Sequence, residues 1–142
     1  MARAQQQVRV PGLGVLKVSQ RRVFTFPSGL IGFEQLRKFV VASSAAMEPL
    51  KWLISLEQPE IALPTLVPWH VDPGYELPPE FQDPETFVPL AVVAFEPSGQ
   101  ILVNLKAPIV LNVRTLQGRQ VVIPGDRYSA THPLSIVVPR AG

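Results

Sequence analysis

The sequence predicts a single all-β domain, a sandwich or a barrel, and three observations carry this prediction. The chain has 142 residues, a length that one hydrophobic core can organise. Sixteen residues are proline, and each proline inside a helix would cost about 3 kcal/mol and remove a backbone donor. Short runs of β-branched and aromatic residues alternate with turn residues along the chain. These features disfavour a helical bundle and a βαβ fold with long crossover helices.

The predicted strands follow these runs, and residues 1–10 before them are expected to form a loose arm. In chain order the strands are Gly14–Val18, Val23–Phe26, Phe39–Ala42, Trp52–Leu56, Leu63–Val67, Leu90–Phe95, Ile101–Leu105, Ile109–Val113, Gln120–Ile123 and Ser135–Val138. The two runs on either side of Glu96–Gln100 form a predicted hairpin, because proline comes early and glycine late in that turn. The next two runs form a second hairpin, joined through Gln117-Gly118.

Helix is scarce in this prediction. The best candidate is Gly32–Lys38, where Phe33, Leu36 and Phe39 lie at helical spacing, and it is expected to form at most a short helical turn. Residues 68–89 are acidic and rich in proline, and we expect a long loop there.

The net charge of +2 conceals a strong asymmetry. Residues 1–47 carry a net charge of +6, residues 48–96 carry −8, and residues 97–142 carry +4. Ten of the sixteen prolines lie between Pro49 and Pro97, within or at the edge of the acidic segment. A segment that is both acidic and proline-rich is expected to display its charge on surface loops.

Catalytic and metal-binding residues are not predicted. The chain has no cysteine, which removes disulfides, thiolate ligands and thiol nucleophiles together. His70 and Asp72 would share one face of an extended segment, and His132, Asp126 or Glu76 could complete a metal site. Their spacing matches no recognised ligand motif, so two surface residues are the favoured interpretation. A hydrolase using His70, Asp72 and acids of the long loop stays open as an alternative.

Two further groups of residues have a possible role. Lys17, Arg21 and Arg22 lie next to Phe24 and Phe26, as in a small basic and aromatic patch that could bind nucleic acid. An RNA-binding β-barrel using the basic N-terminal third is therefore a second alternative, although the acidic segment would repel phosphate.

The other group lies around Pro108, which is expected to bend or end the strand pairing. Asn104 and Asn112 stand four residues on either side and can hydrogen-bond the backbone groups freed at the bend.

Four blocks of the sequence resemble the signatures of the flagellar assembly factor FliW family, in the family's order. They are Phe26–Glu34, Trp52–Ala62, Val103–Asn112, and Gly118–Ile123 followed by Tyr128 and His132–Leu134. Together they span about residues 23–136, and four blocks in register are far more specific than any one of them.

The resemblance implies a cytoplasmic, non-catalytic, mostly antiparallel barrel-like protein without a cofactor. Proteins of this family bind the carbon storage regulator CsrA, a small basic dimer that represses translation, and flagellin competes for them. The resemblance therefore implies CsrA and flagellin as partners of a monomer, with no direct contact to nucleic acid or membrane.

This resemblance offers an explanation for the acidic segment, because negative charge attracts and steers a basic partner. Charge reversal at Glu57 and Glu60 is expected to weaken CsrA binding, and Glu80, Asp83 and Glu85 of the long loop are expected to face CsrA. The predicted partner-binding residues are Glu34, Glu57, Glu60, Glu76, Asn104 and Lys106.

Overall fold

A computed structural model describes residues 5–10, 14–43 and 45–134. Within these residues there are ten strands and three single 3₁₀ turns, so the predicted all-β class is confirmed. The strands are β1 (Gln5–Val10), β2 (Gly14–Thr25), β3 (Lys38–Ser43), β4 (Lys51–Ser55), β5 (Ala62–Leu66), β6 (Phe87–Phe95), β7 (Ile101–Val103), β8 (Ile109–Asn112), β9 (Gln117–Gln120) and β10 (His132–Leu134). The 3₁₀ turns are Ala45–Met47, Pro68–His70 and Pro79–Phe81.

Seven of the strands close into a barrel. Their order is β6-β5-β4-β3-β2-β9-β8, and β8 pairs back with β6. Neighbours are antiparallel except β2 and β9, which run parallel and meet at Thr25 and Gln117. A ring of seven strands cannot alternate in direction all the way round, so one parallel contact is a geometric requirement of this closure.

β6 belongs to several pairings because it is nine residues long. Its first part, Phe87–Leu90, pairs with β8, and the next residues, Ala91 and Val92, pair with β5. Its last part pairs with β7, which in turn pairs with β10. This confirms the predicted hairpin across Glu96–Gln100. The other addition to the barrel is β1, which pairs with the N-terminal half of β2.

The Phe26 cluster, one of three hydrophobic clusters among the described residues, lies around Phe26, which is fully buried. Its ring meets the ring of Phe39 edge-on, with the centroids 5.1 Å apart. On β3 and β4 the side chains alternate: Phe39 and Leu53 point into this cluster, whereas Val40 and Ile54 pack in another cluster with Trp52. Both faces of these two strands are therefore buried, which explains their nearly continuous apolar sequence.

Several boundaries differ from the sequence prediction. The two runs Gly14–Val18 and Val23–Phe26 form the single strand β2, which has an irregularity between Val18 and Val23. Residues 5–10 of the expected loose arm form β1. The predicted strand Ser135–Val138 lies outside the described residues.

The turn of the second predicted hairpin was placed wrongly. Gln117 and Gly118 begin β9 and pair with Asn112 and Leu111, so the turn lies at residues 113–116. Leu116 takes a positive φ of 58° there. A leucine in this conformation gives no sequence signal, because turns of this kind are normally recognised by glycine or asparagine.

The predicted helical turn at Gly32–Lys38 is also wrong. Residues 26–37 form a closed loop instead, in which the Phe26 amide donates to the Arg37 carbonyl (2.7 Å) and Leu30 forms a bridge with Phe33. Leu36 and Phe39 are buried as their spacing suggested, but the backbone hydrogen bonds of the loop replace those of a helix.

Gly118 allows β9 to pass directly over the core. A Cβ atom at this position would overlap the ring of Phe26, which is surrounded by the Phe26 cluster and has no room to move. Because Gly118 follows the residue that makes the parallel contact with β2, its missing side chain lets the barrel close.

We expect Gly118→Ala to lower the free energy of unfolding by about 1–3 kcal/mol, the usual cost of overpacking a core. Urea denaturation followed by circular dichroism measures this change. Gly74→Ala is the matched control, because its Cβ would make only an ordinary contact with Asp72 Oδ1 at 3.5 Å. Equal stabilities of the two variants would show that the barrel tolerates a side chain over Phe26.

Candidate partner-binding surface

The loop of residues 26–37 is held in shape by its own glycine and carboxylate. Gly29 has a φ of 64°, and a Cβ there would come within 2.6 Å of Glu34 Cα. The exposed Glu34 carboxylate accepts a hydrogen bond from the Gly32 amide (3.0 Å), which lowers the pKa of Glu34. Glu34, one of the predicted partner-binding residues, therefore stabilises its own loop.

Glu57 joins this loop to the loop between β4 and β5. Its carboxylate accepts hydrogen bonds from the backbone amides of Arg37 (3.1 and 3.2 Å) and Lys38 (3.0 Å), where β3 begins. The Leu56 amide donates to the Lys38 carbonyl beside it (2.9 Å). The hydrogen bond from Lys38 is the main reason that the pKa of Glu57 is lowered. Glu57 is thus exposed to solvent but engaged in the fold.

The bend around Pro108 is supported by Asn104, but the predicted support by Asn112 is wrong, because Asn112 bonds the turn of residues 113–116 at the other end of β8. Asn104 Oδ1 accepts from the amides of Lys106 (3.2 Å) and Ala107 (3.0 Å). Asn112 Oδ1 accepts from the amides of residues 114 and 115, both at 3.0 Å. The Lys106 ammonium donates to the Gly125 carbonyl. The structure therefore gives Asn104 and Lys106 structural contacts at this bend.

The long loop between β5 and β6 packs onto the barrel through aromatic residues. Tyr75 is buried and its hydroxyl donates to the Leu105 carbonyl (2.6 Å), while burial raises its pKa. The Tyr128 hydroxyl accepts from the Glu76 amide (2.8 Å), and the two tyrosine rings lie 4.4 Å apart. Sequence reasoning missed this anchor, although the acidic, proline-rich loop contains the aromatic residues Trp69, Tyr75 and Phe81.

Most acids of the acidic segment already have partners in the fold. The closest side-chain and backbone contacts are Asp72 with the Gly74 amide (2.9 Å), Glu76 with Arg127 (3.5 Å), Asp83 with the Thr86 hydroxyl (2.7 Å) and Glu85 with Arg114 (3.7 Å). Glu60 and Glu80, like Glu96 in the turn between β6 and β7, differ from these, because they are exposed and their carboxylates accept no hydrogen bond or ion pair from the described residues. They are the acids of these loops with unused acceptor capacity.

The residues proposed for metal binding or catalysis do not converge. His70 ends a 3₁₀ turn, so the extended geometry that would align it with Asp72 is wrong. Over residues 5–10, 14–43 and 45–134 no three histidine, aspartate or glutamate side chains form a group suited to a metal ion.

The residues of the predicted basic and aromatic patch do not form a common surface either. Phe24 and Phe26 are buried in the Phe26 cluster, which leaves neither ring free to stack on a base. Arg22 is exposed, and the side chains of Lys17 and Arg21 lie outside the described part.

Two clefts lie side by side on the surface, separated by Phe81 and Phe87, which line both. The first cleft, of about 530 Å³, runs between the loop of residues 27–31 and β9, and Glu34 and Arg119 lie on its walls. The second cleft, of about 330 Å³, lies against the long loop and is lined by Trp69, Tyr75, Glu76, Leu77, Phe81, Gln82, Pro84 and Phe87.

The fold and this surface define a small closed β-barrel whose loops are fixed by side-chain hydrogen bonds to backbone groups. The family model described as FliW protein matches residues 7–134, which is most of the chain. The chain belongs to the FliW family, as the four sequence blocks indicated.

The curated relatives and a solved structure agree with this assignment. The flagellar assembly factor FliW of Thermosipho africanus is 37% identical over 87% of this chain and 92% of its own length. That of Thermotoga maritima is 32% identical over 91% and 93%. A crystal structure of the flagellar assembly factor FliW has the same fold, with a TM-score of 0.77 at 21% identity over 94% of this chain and all of that one. Among the described residues there is no helix long and apolar enough to cross a membrane.

The Glu57 contacts predict a pH dependence of stability. Because the folded-state pKa of Glu57 lies below its ordinary value of about 4.5, its contribution is complete above that pH and is lost as the pH falls through the folded-state pKa. We expect Glu57→Gln to destabilise the protein at pH 7 and to reduce the loss of stability on acidification below about pH 4.5. Urea denaturation at a series of pH values measures both effects.

Glu60→Gln serves as the control, since this carboxylate in the same loop accepts no hydrogen bond from the described residues. A Glu57→Gln variant whose pH profile coincides with that of Glu60→Gln would refute the role assigned to the carboxylate.

Proposed function

We propose that this protein is a non-catalytic flagellar assembly factor that binds and antagonises CsrA in the cytoplasm and is itself bound by flagellin. In this role it couples flagellin synthesis to flagellin export. Membership of the FliW family and the names of the curated relatives support the flagellar role. CsrA and flagellin as partners follow from the family resemblance of the four sequence blocks.

The observation that carries the CsrA part is the acidic segment and the distribution of its charges. Residues 48–96 have a net charge of −8, and Glu60 and Glu80 project from loops without partners among the described residues. Complementary charge raises the association rate with a basic partner and disfavours wrong partners. Glu34, Glu57, Asn104 and Lys106 each hold a loop or a bend, so their contribution to binding would come through the shape of the surface, whereas the Glu76 carboxylate is exposed beside Arg127.

Flagellin binding has a different physical basis in this proposal. Within the described residues β1 pairs only with β2, and β10 pairs only with β7, which leaves one edge of each strand open. Such edges can add an extended segment of a partner as a further strand.

The CsrA part is tested by titrating the purified cognate CsrA dimer at several salt concentrations. We expect the affinity to fall with salt, and to fall about tenfold, or about 1.4 kcal/mol, for the double variant Glu60→Lys and Glu80→Lys. Glu57 is left intact because its removal would also disturb β3. Each single variant, Glu60→Lys and Glu80→Lys, is also compared with Glu96→Lys, the control with the same change in charge, since Glu96 is an exposed acid in the turn between β6 and β7.

Unchanged affinity of the double variant, or equal weakening by the control, would refute the acidic-surface model. The wider proposal is tested by a pull-down from the source cell with mass spectrometry of the bound proteins. Recovery of neither CsrA nor flagellin would contradict it, and salt-sensitive binding of generic RNA to the purified protein would favour the RNA-binding alternative.

A further inference from the structure

We propose that the second cleft is a socket for an arginine side chain of a basic protein partner. This inference rests on the proposed function only in taking the partner to be a basic protein. It goes further by assigning a recognition site, with Trp69 and Glu76 as the residues that would hold the guanidinium group.

The walls of the second cleft are aromatic and fixed in place. Trp69 is 42% exposed, yet its indole N–H donates to the Tyr75 carbonyl (2.8 Å) and its ring meets the Tyr75 ring edge-on at 6.4 Å. Phe81 and Phe87 form a second edge-on pair at 5.3 Å. An exposed tryptophan that is held by a hydrogen bond offers a flat surface at little entropic cost on binding, and such residues are common anchors of protein interfaces.

The charge at the cleft favours a cation. Glu76 is the charged residue of its lining, with a side chain that is 64% exposed, and the loop that carries it also contains Asp72, Glu80 and Asp83. A guanidinium group combines a planar face, which stacks on aromatic rings, with donors for a carboxylate. Phosphate would be repelled by the same carboxylates, so a basic protein fits the cleft better than RNA.

Two arginines of the chain itself already contact aromatic rings beside the clefts, and one of them also pairs with Glu76. The Arg127 guanidinium lies 5.2 Å from the centre of the Tyr128 ring and 3.5 Å from the Glu76 carboxylate. The Arg119 guanidinium lies 5.4 Å from the centre of the Phe81 ring, which lines both clefts. A partner arginine beside Trp69 would repeat these arrangements, and it would compete with Arg127 for Glu76.

The socket is tested directly by NMR titration of the tryptophan indole N–H signals with a capped peptide Gly-Arg-Gly-Arg-Gly. We expect the Trp69 signal to shift, and the signal of Trp52, which is only 5% exposed, to stay in place as an internal reference. The same peptide with glutamate in place of arginine should cause no shift. Equal shifts with both peptides, no shift with either, or a shift only with an RNA oligonucleotide would overturn the proposal.

Substitutions extend the test to the full-length CsrA dimer. Trp69→Leu keeps an apolar side chain but removes the aromatic face, and we expect about a tenfold loss of CsrA affinity. Phe95→Leu is the control, because Phe95 is an aromatic residue with 54% exposure that lies outside both clefts. Circular dichroism melts of both variants check that the fold is intact. If the peptide effect or the loss of affinity is absent while wild-type protein binds CsrA, the socket is wrong and the proposed function survives.

Arg127→Gln gives the sharpest outcome. Since Arg127 competes for Glu76, its removal should strengthen arginine-peptide binding two- to threefold, whereas structural damage to the cleft would weaken it. Glu76→Gln should weaken peptide binding and abolish this gain in the double variant. Weaker peptide binding by Arg127→Gln would contradict the proposed competition, and a failure of wild-type protein to bind CsrA would leave the peptide results to decide the socket alone.

Discussion

The parallel contact between β2 and β9 is the constraint on which the rest of the structure depends. A closed barrel of seven strands has seven neighbouring pairs, and with this odd number the pairs cannot all be antiparallel. One pair must run parallel, and here it is β2 and β9, which meet at Thr25 and Gln117. The contact brings Gly118 over the Phe26 ring in the Phe26 cluster. Chain reversal after Phe26 then requires the tight loop of residues 26–37, which Gly29, Glu34 and Glu57 hold together. The closure of the barrel and the shape of its surface loops therefore depend on the same contacts.

A consequence is that many charged and polar side chains of the surface serve the fold. The carboxylates of Glu34 and Glu57 and the amides of Asn104 and Asn112 satisfy backbone N–H groups that the irregular loops leave unpaired. Such residues are expected in signature blocks whether or not they touch a partner. The features with spare capacity for recognition are of another kind, and they include the free carboxylates of Glu60 and Glu80 and the exposed face of Trp69.

The long acidic loop shows which features of a segment can be predicted from the sequence and which require the structure. Its prolines and charges predicted an irregular surface segment over residues 68–89; the structure has two 3₁₀ turns and exposed acids there, but residues 87–89 belong to β6. Its anchoring could not be predicted, because Tyr75 reaches Leu105 and Tyr128 reaches Glu76 across 30 and 52 residues of sequence. The pairing of Glu85 with Arg114 spans a similar interval. Contacts at such separations leave no pattern in local composition.

The sequence by itself determined the all-β class, most strand positions, the first hairpin, the asparagine-supported bend at Pro108 and the family. These features depend on local chemistry: side-chain alternation, turn residues, missing backbone donors and contiguous motifs. Only the tertiary structure decided how the barrel closes, that β9 begins at Gln117, that residues 32–38 are a loop, and that Glu57 is held by the start of β3. The physical reason is that each of these features depends on hydrogen bonds or packing between residues that are distant in sequence. Such contacts contribute free energy only once the barrel has brought these residues together.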